Sequence, residues 1–227
     1  MLKNILRHTI FTKSLQKDKT LFPILIDCGA NKGEFSNYIN KEFGAICYGF
    51  EPDPMLYQSL KSKNDISFYQ LAVGSSEGQV RLNLGEKHCS SIKYIESEKQ
   101  DYIDVEMINL EKFCMNKCIE SINLIKLDIE GAELDLLENL SSTFLSKVDQ
   151  ITVEFHDFLE KEDIPRIKNV IQRIRNEGFY VLRLSYFTYG DVLMINQARI
   201  KISNFEKFAF LIYKYMVGMT RFASRFI

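Results

Sequence analysis

Ile26-Asp27-Cys28-Gly29-Ala30-Asn31-Lys32-Gly33-Glu34-Phe35-Ser36 is the stretch that decides how this 227-residue chain folds. The apolar run Ile24–Cys28 meets a turn bracketed by two glycines. An amphipathic stretch follows at once, Gly33–Phe43, with Phe35, Tyr38, Ile39 and Phe43 on one side. A strand, a glycine turn and a helix in that order open a βαβ unit. The turn brings backbone amides and a helix start to one point, and glycine lacks the Cβ that would hold a ligand away.

Outward from this block the alternation continues. Ala45–Phe50 reads as the second strand, closed by Glu51-Pro52-Asp53-Pro54, then come a helix at Met55–Lys63 and a third strand at Ile66–Val73. Val80–Leu84 and Ile103–Ile108 read as strands on either side of a polar, irregular stretch, Gly85–Gln100. Ile122–Ile129 is a core strand, Ala132–Leu140 a helix, Gln150–Phe155 a strand and Ile164–Glu177 a helix stopped at Gly178. Tyr180–Ser185 and Asp191–Asn196 form a closing hairpin. The pattern predicts an α/β fold with a mostly parallel sheet and a C-terminal antiparallel hairpin.

Composition sets the outer bounds. With 46% apolar and 26% charged residues and few Gly and Pro, the chain suits one globular domain rather than a disordered or repetitive protein. The net charge of −1 conceals a division: residues 1–20 carry +4, residues 201–227 carry +4, and the stretch between carries −9. An acidic body argues against a nucleic-acid partner, whose phosphates select cations. Three segments are expected: a basic N-terminal segment at 1–20, a catalytic domain at 21–197 and a basic, apolar helical extension at 198–227. The five cysteines lack the paired C-x-x-C knuckles of a zinc site, so reduced thiols and a cytoplasmic location are expected, with no dedicated metal centre. No apolar run of signal-peptide length opens the chain.

The chemistry-bearing residues cluster at strand ends. Glu51 lies about twenty residues after the glycine turn, where a carboxylate accepts hydrogen bonds from both hydroxyls of a ribose. The G-x-G-x-x-G pattern of a pyrophosphate site is missing, and Asp27 opens the turn. An acid beside the cofactor suits the ammonium of an amino-acid moiety, which favours S-adenosylmethionine over a nicotinamide dinucleotide. In the strand block Lys126-Leu127-Asp128-Ile129-Glu130-Gly131-Ala132-Glu133, residues 126, 128 and 130 share one face. Glu154 and His156 repeat the spacing on the next strand. Open α/β sheets bind ligands beyond the carboxyl ends of their strands, so Asp128, Glu130, Glu154 and His156 are expected in one cleft. His156 is the first candidate general base, with Asp128 or Glu130 as the alternative, and Glu154 tuning the histidine. Two carboxylates plus a histidine could instead hold a divalent cation. A Lys126–Asp128 ion pair is the plain structural alternative. His88, with Ser90 and Ser91, is a weaker candidate on a loop over the acceptor.

In IDCGANKGEFS (26–36), GFEPDP (49–54), QLAVG (70–74), SSI (90–92), IKLDIEGAE (125–133) and VEFH (153–156), the chain resembles the FkbM family of S-adenosylmethionine-dependent methyltransferases over about residues 21–197. The resemblance implies a Rossmann-like class I methyltransferase fold and O-methyl transfer to a hydroxyl-bearing acceptor, such as a glycan, a sugar-bearing lipid or a related natural product. It places Asp27, Gly29, Ala30, Asn31 and Gly33 around the methionine end, Glu51 on the ribose, Leu71 and Ala72 beside the adenine, and Asp128 at the cofactor. An NAD-dependent oxidoreductase and a non-catalytic nucleoside-binding or membrane-associated module are the rival readings. Residues 198–227 lie outside the match. Their Lys207, Lys214 and Arg221 recur every seven residues, consistent with a capping helix, a dimer surface or peripheral contact with the inner membrane face.

Overall fold

The computed structural model describes residues 1–16, 22–84, 90–91, 102–156, 161–185 and 188–223. The chain opens with a hairpin, β1 (Leu2–Ile5) and β2 (His8–Phe11), turned by Leu6 and Arg7, both at positive φ as two-residue hairpin turns require. Then follow β3 (Ile24–Cys28), α1 (Glu34–Phe43), β4 (Ile46–Phe50), α2 (Pro54–Ser59), β5 (Ile66–Tyr69), β6 (Ala72–Gly74), β7 (Gly78–Leu84), β8 (Ser90–Ser91), β9 (Tyr102–Asn109) and α3 (Leu110–Asn116). The second half runs β10 (Leu124–Leu127), α4 (Glu133–Asn139), α5 (Ser142–Leu145), β11 (Gln150–Val153), α6 (Ile164–Asn176), β12 (Phe179–Arg183), β13 (Val192–Asn196) and α7 (Asn204–Ala223).

The main sheet has seven strands in the order β12-β13-β11-β10-β3-β4-β5. From β11 to β5 neighbours are parallel, and β13 lies antiparallel between β11 and β12. This is the α/β fold expected, hairpin included. β3 and β10 lie side by side at its centre, paired through Asp27↔Lys126 and Cys28↔Leu127, so both glycine-turn blocks end at one edge. Parallel strands covered on both faces read as continuous apolar runs, and Leu25, Ile26, Leu124, Ile125, Leu127, Ile151 and Val153 are all fully buried.

Several boundaries differ from the sequence reading; the helix expected at Met55–Lys63, for one, ends at Ser59. The strand expected at Ile66–Val73 is two: β5 edges the main sheet, and after Gln70–Leu71 the chain crosses to a four-stranded sheet, β6-β9-β7-β8. Ile122–Ile129 and Gln150–Phe155 shorten to β10 and β11. Past β10 the backbone turns sharply, with Glu130 at φ 52° and Gly131 at φ 106°. Most of Gly85–Gln100, His88 included, lies outside the described residues.

The N-terminal segment is not an appendage. Ile10 and Phe11 are fully buried, Ile5 and Ile10 against Leu25, Phe35 and Ile39, and Leu2 and Phe11 against Leu182, Leu193 and Ile195. Burial of such side chains is worth about 1.5–3 kcal/mol each. Polar bonds fix the register: Thr9 donates from its amide and its hydroxyl to Asp191 (3.1 and 2.9 Å), and the Phe11 amide donates to Gln150 (2.8 Å). The hairpin thereby closes over the sheet at the β11–β13 junction, where β2 packs against both strands. Cys28, Cys47 and Cys114 are buried free thiols and Cys118 is an exposed one. Among the described residues no helix is long and apolar enough to cross a membrane.

Candidate active site

The turn between β3 and α1 holds its shape through glycine and one carboxylate. Gly29 sits at φ +83°, and a Cβ there would overlap the backbone oxygen of Asp128, so β3 and β10 approach as closely as they do only with glycine at this position. The Gly29 and Ala30 amides donate to the Phe50 carbonyl (3.0 and 2.8 Å). Asn31 is also left-handed, and its amide donates to Glu51 Oε2 at 2.7 Å, while the Asp53 amide donates to Oε1 at 3.0 Å. Asp53 in turn caps α2 by accepting from Met55 and Leu56. Glu51 is thus aimed by two backbone donors. Burial pushes its pKa above the usual carboxylate range, against those two hydrogen bonds.

Asp27 was expected at the methionine end of the cofactor; it is covered by the turn and does not reach the cavity. It is wholly buried under the turn, accepting from Ser36 Oγ at 2.7 Å and paired with Lys126 Nζ at 3.2 Å. Lys126 also donates to the Gly29 carbonyl (2.7 Å) and lies 3.5 Å from Asp128 Oδ2. Burial opposes its charge, but Asp27 and Asp128 hold its pKa above the ordinary lysine value. The Lys126–Asp128 pair read as the plain alternative is real, and it braces the turn from below.

Around Asp128 the chain gathers a cluster of histidines and carboxylates. His156 Nε2 lies 3.1 Å from Glu130 and 3.8 Å from Asp128, and its Nδ1 lies 3.1 Å from Glu133. Glu133 also accepts from the Ile129 amide (2.9 Å) and the Gly131 amide (3.0 Å), clamping the left-handed turn at Glu130. On the other side His8 Nε2 lies 3.3 Å from Asp128 and 3.9 Å from Glu154. Asp128, Glu130, Glu154 and His156 all belong to this cluster. His8 and Glu133 join them unforeseen. A carboxylate three residues after Glu130 was in plain view in the quoted block. His8 carried no signal beyond its residue type, because its hairpin read as a basic tail.

The charges sort these groups. Burial alone would lower the His156 pKa, but the Glu133 hydrogen bond and the charges of Glu133, Glu130 and Asp128 raise it to about 9. That shift favours the imidazolium form at neutral pH and counts against His156 as the proton acceptor. Asp128, despite its burial, is held well below the usual range by Lys126, His8 and His156. Burial raises Glu130 and Glu154, each with neighbouring carboxylates adding to the rise. Two overlapping sets, His8–Asp128–Glu154 and Asp128–Glu130–His156, bring their ligand atoms within 4.8 Å of one another and could hold a metal ion.

A cavity of about 580 Å³, counting its open mouth, lies beside this cluster. Gly29, Asn31, Glu51, Leu71, Ala72, Asp128 and Glu130, all named as candidates from the sequence, line it. Phe50, Pro52, Leu56, Val73, Leu82 and Ile129 complete the wall. Asp27, Ala30 and Gly33 do not line it; they shape the turn behind it.

Comparison with known proteins agrees in kind. The chain is 22% identical over 184 residues to Methyltransferase 1 of Beauveria bassiana, covering 69% of this chain and 72% of that protein. It is 23% identical over 158 residues to the 2-O-methyltransferase NoeI of Sinorhizobium fredii, covering 60% and 64%. It is 21% identical over 149 residues to the hexuronic acid methyltransferase AglP of Haloferax volcanii, covering 63% and 60%. The chain thus spans under two thirds of the lengths of NoeI and AglP. The model of the FkbM methyltransferase domain matches residues 27–181, from the buried Asp27 into β12. With that match running across the turn, Glu51, the Asp128 cluster and most of the main sheet, the chain belongs to the FkbM methyltransferase domain family.

Proposed function

We propose that this protein transfers the methyl group of S-adenosylmethionine to a hydroxyl oxygen of a sugar, free or within a glycan or glycolipid. One observation carries the reading: a single cavity is edged by Glu51 at one side and by Asp128 and Glu130, members of the histidine–carboxylate cluster, at the other. The wall fits the cofactor. Each Glu51 oxygen takes one backbone donor and keeps a lone pair for a ribose hydroxyl. Phe50, Leu56, Leu71 and Val73 offer an apolar slot for an adenine. When bound, the cofactor supplies an activated sulfonium methyl. NoeI, named as a 2-O-methyltransferase, and AglP, named as a hexuronic acid methyltransferase, support an oxygen of a sugar-type acceptor over a nicotinamide-linked reaction.

The chain's residues then have two tasks, alignment and removal of one proton. Glu130 takes the hydroxyl proton onto its carboxylate as the oxygen–carbon bond forms. Its raised pKa makes it a better acceptor than Asp128, and it lines the cavity. His156, protonated and 3.1 Å away, holds Glu130 in place and offsets negative charge. A second reading rests on the two overlapping ligand sets: a divalent cation held there would lower the hydroxyl pKa. Turnover of methyl-labelled S-adenosylmethionine with a panel of sugars and glycans tests the proposal. Transfer to a hydroxyl supports it, and calorimetry showing no affinity for S-adenosylhomocysteine overturns it. Activity that survives exhaustive chelation removes the cation reading.

A further inference from the structure

The C-terminal helix α7 presents its apolar side outward. Phe210 packs inward, its ring 5.2 Å from Phe11 and 6.2 Å from Tyr180. On the opposite face Phe205, Phe208, Leu211, Ile212, Tyr215 and Met216 are all exposed, Phe205 to 78% and Met216 to 64%. A helix serving only to cap the domain would put these residues against the core and leave its charges in water. Here the arrangement is reversed. Lys207 and Lys214 sit on the flanks of the inward side, half-buried, with the Lys207 ammonium 5.6 Å from the Tyr180 ring.

We propose that α7 docks the protein on an anionic lipid surface, lying in the headgroup plane with its Phe, Leu, Ile and Met side chains among the acyl chains. Charge selects this occupant. Residues 201–227 carry +4, while 21–200 carry −9, so an anionic surface repels the body and attracts this element, which fixes the docked orientation. The single acid of 201–227, Glu206, is paired with Lys13 at 3.2 Å and accepts from the Ser203 amide. Flanking lysines on long stems reach phosphates at the rim of a buried apolar face. A second copy of α7 fits less well, because pairing two copies juxtaposes two segments that each carry +4. This inference stands apart from the methyl-transfer reading, since it concerns binding alone.

Flotation of the 227-residue chain with phosphatidylcholine vesicles, and with vesicles containing roughly a third phosphatidylserine, tests it. Binding is expected to the anionic vesicles only, and to weaken several-fold on raising the salt from about 0.1 M to about 0.5 M. Phe205→Ser combined with Phe208→Ser and Ile212→Ser is expected to lower the partition coefficient about tenfold or more with an unchanged thermal melt. Lys214→Glu should reduce binding to the anionic vesicles while leaving the apolar face intact. Absence of flotation overturns the proposal, as does equal flotation of the triple variant. So does a light-scattering dimer of the wild type that the triple variant abolishes, which would assign the face to a second copy.

Discussion

His156 Nδ1 lies 3.1 Å from Glu133, a carboxylate only 2% exposed that also receives the amides of Ile129 and Gly131. This one contact changes the role of the histidine. A neutral imidazole at the strand end would be a natural base, whereas an imidazolium tied to a buried carboxylate is a fixed positive charge. It also joins β11 to the turn after β10, the two pieces of chain that must stay in register for Glu130 to face the cavity.

The first prediction concerns stability and pH. The His156 pKa is about 9 when folded against an ordinary value of 6.5. Its contribution is therefore fully present below pH about 6.5 and is lost as pH rises through about 9, amounting to about 3 kcal/mol. Urea unfolding at pH 6 and pH 9.5 should show that loss in the wild type and a much smaller one in His156→Gln. Equal losses in the two proteins would place the proton elsewhere.

Glu130 gives the second. Glu130→Gln keeps size and polarity but removes the proton acceptor, so kcat should fall about 100- to 10,000-fold. Affinity for S-adenosylhomocysteine should stay within a few-fold. The raised pKa of Glu130 sets the sign of the pH profile: wild-type activity falls on acidification through a limb above the ordinary glutamate range, and the limb disappears in Glu130→Gln. A limb unchanged by the substitution would point to Glu154.

Much of this site could be read from residues alone, and what escaped has physical causes. Period and turn chemistry place β3, α1, β4 and β10 within a residue or two, since buried parallel strands write themselves as apolar runs. Glu51 followed from spacing along the chain. Asp27 did not, because its pattern fits either a ligand contact or a buried support, and only the position of Lys126 decides between them. The protonation of His156 depends on Glu133, a contact across a sharp turn that no periodicity encodes. The crossing of the chain from β5 to β6 is invisible in hydrophobicity, because both strands are apolar.

The third prediction addresses the ribose role of Glu51. In Glu51→Ala the Asn31 and Asp53 amides lose their acceptor together with the cofactor's hydroxyls. Lost hydrogen bonds to a charged group cost about 1.5–3 kcal/mol, so calorimetric affinity for S-adenosylhomocysteine should drop at least tenfold. Unchanged affinity would remove Glu51 from the cofactor site.

Lys126 supports the fourth. Lys126→Met preserves the aliphatic stem and leaves the wholly buried Asp27 without its cation, while Asp128 keeps only its histidine neighbours. Breaking a buried ion pair from one side costs about 3–5 kcal/mol, and the chemical-denaturation midpoint should fall accordingly. Combining Lys126→Met with Asp27→Asn should recover part of the loss, because the orphaned charge is then gone. A double variant no more stable than the single one would show that the lysine acts through packing alone.

The last prediction follows from the N-terminal hairpin. His8 is 1% exposed, and its Nε2 stands 3.3 Å from Asp128 and 3.9 Å from Glu154, so it braces two carboxylates of the cluster from a buried position off the cavity wall. Ring packing on Phe35, at a centroid distance of 5.8 Å, fixes its own direction. As a positioning residue it should affect kcat more than KM: His8→Ala is expected to slow turnover about 10- to 100-fold with cofactor affinity preserved. His8→Gln retains a donor near Nε2 and should restore part of that rate. Were both variants to lose activity only in proportion to a lowered melting temperature, the histidine would be a packing residue of the hairpin and nothing more.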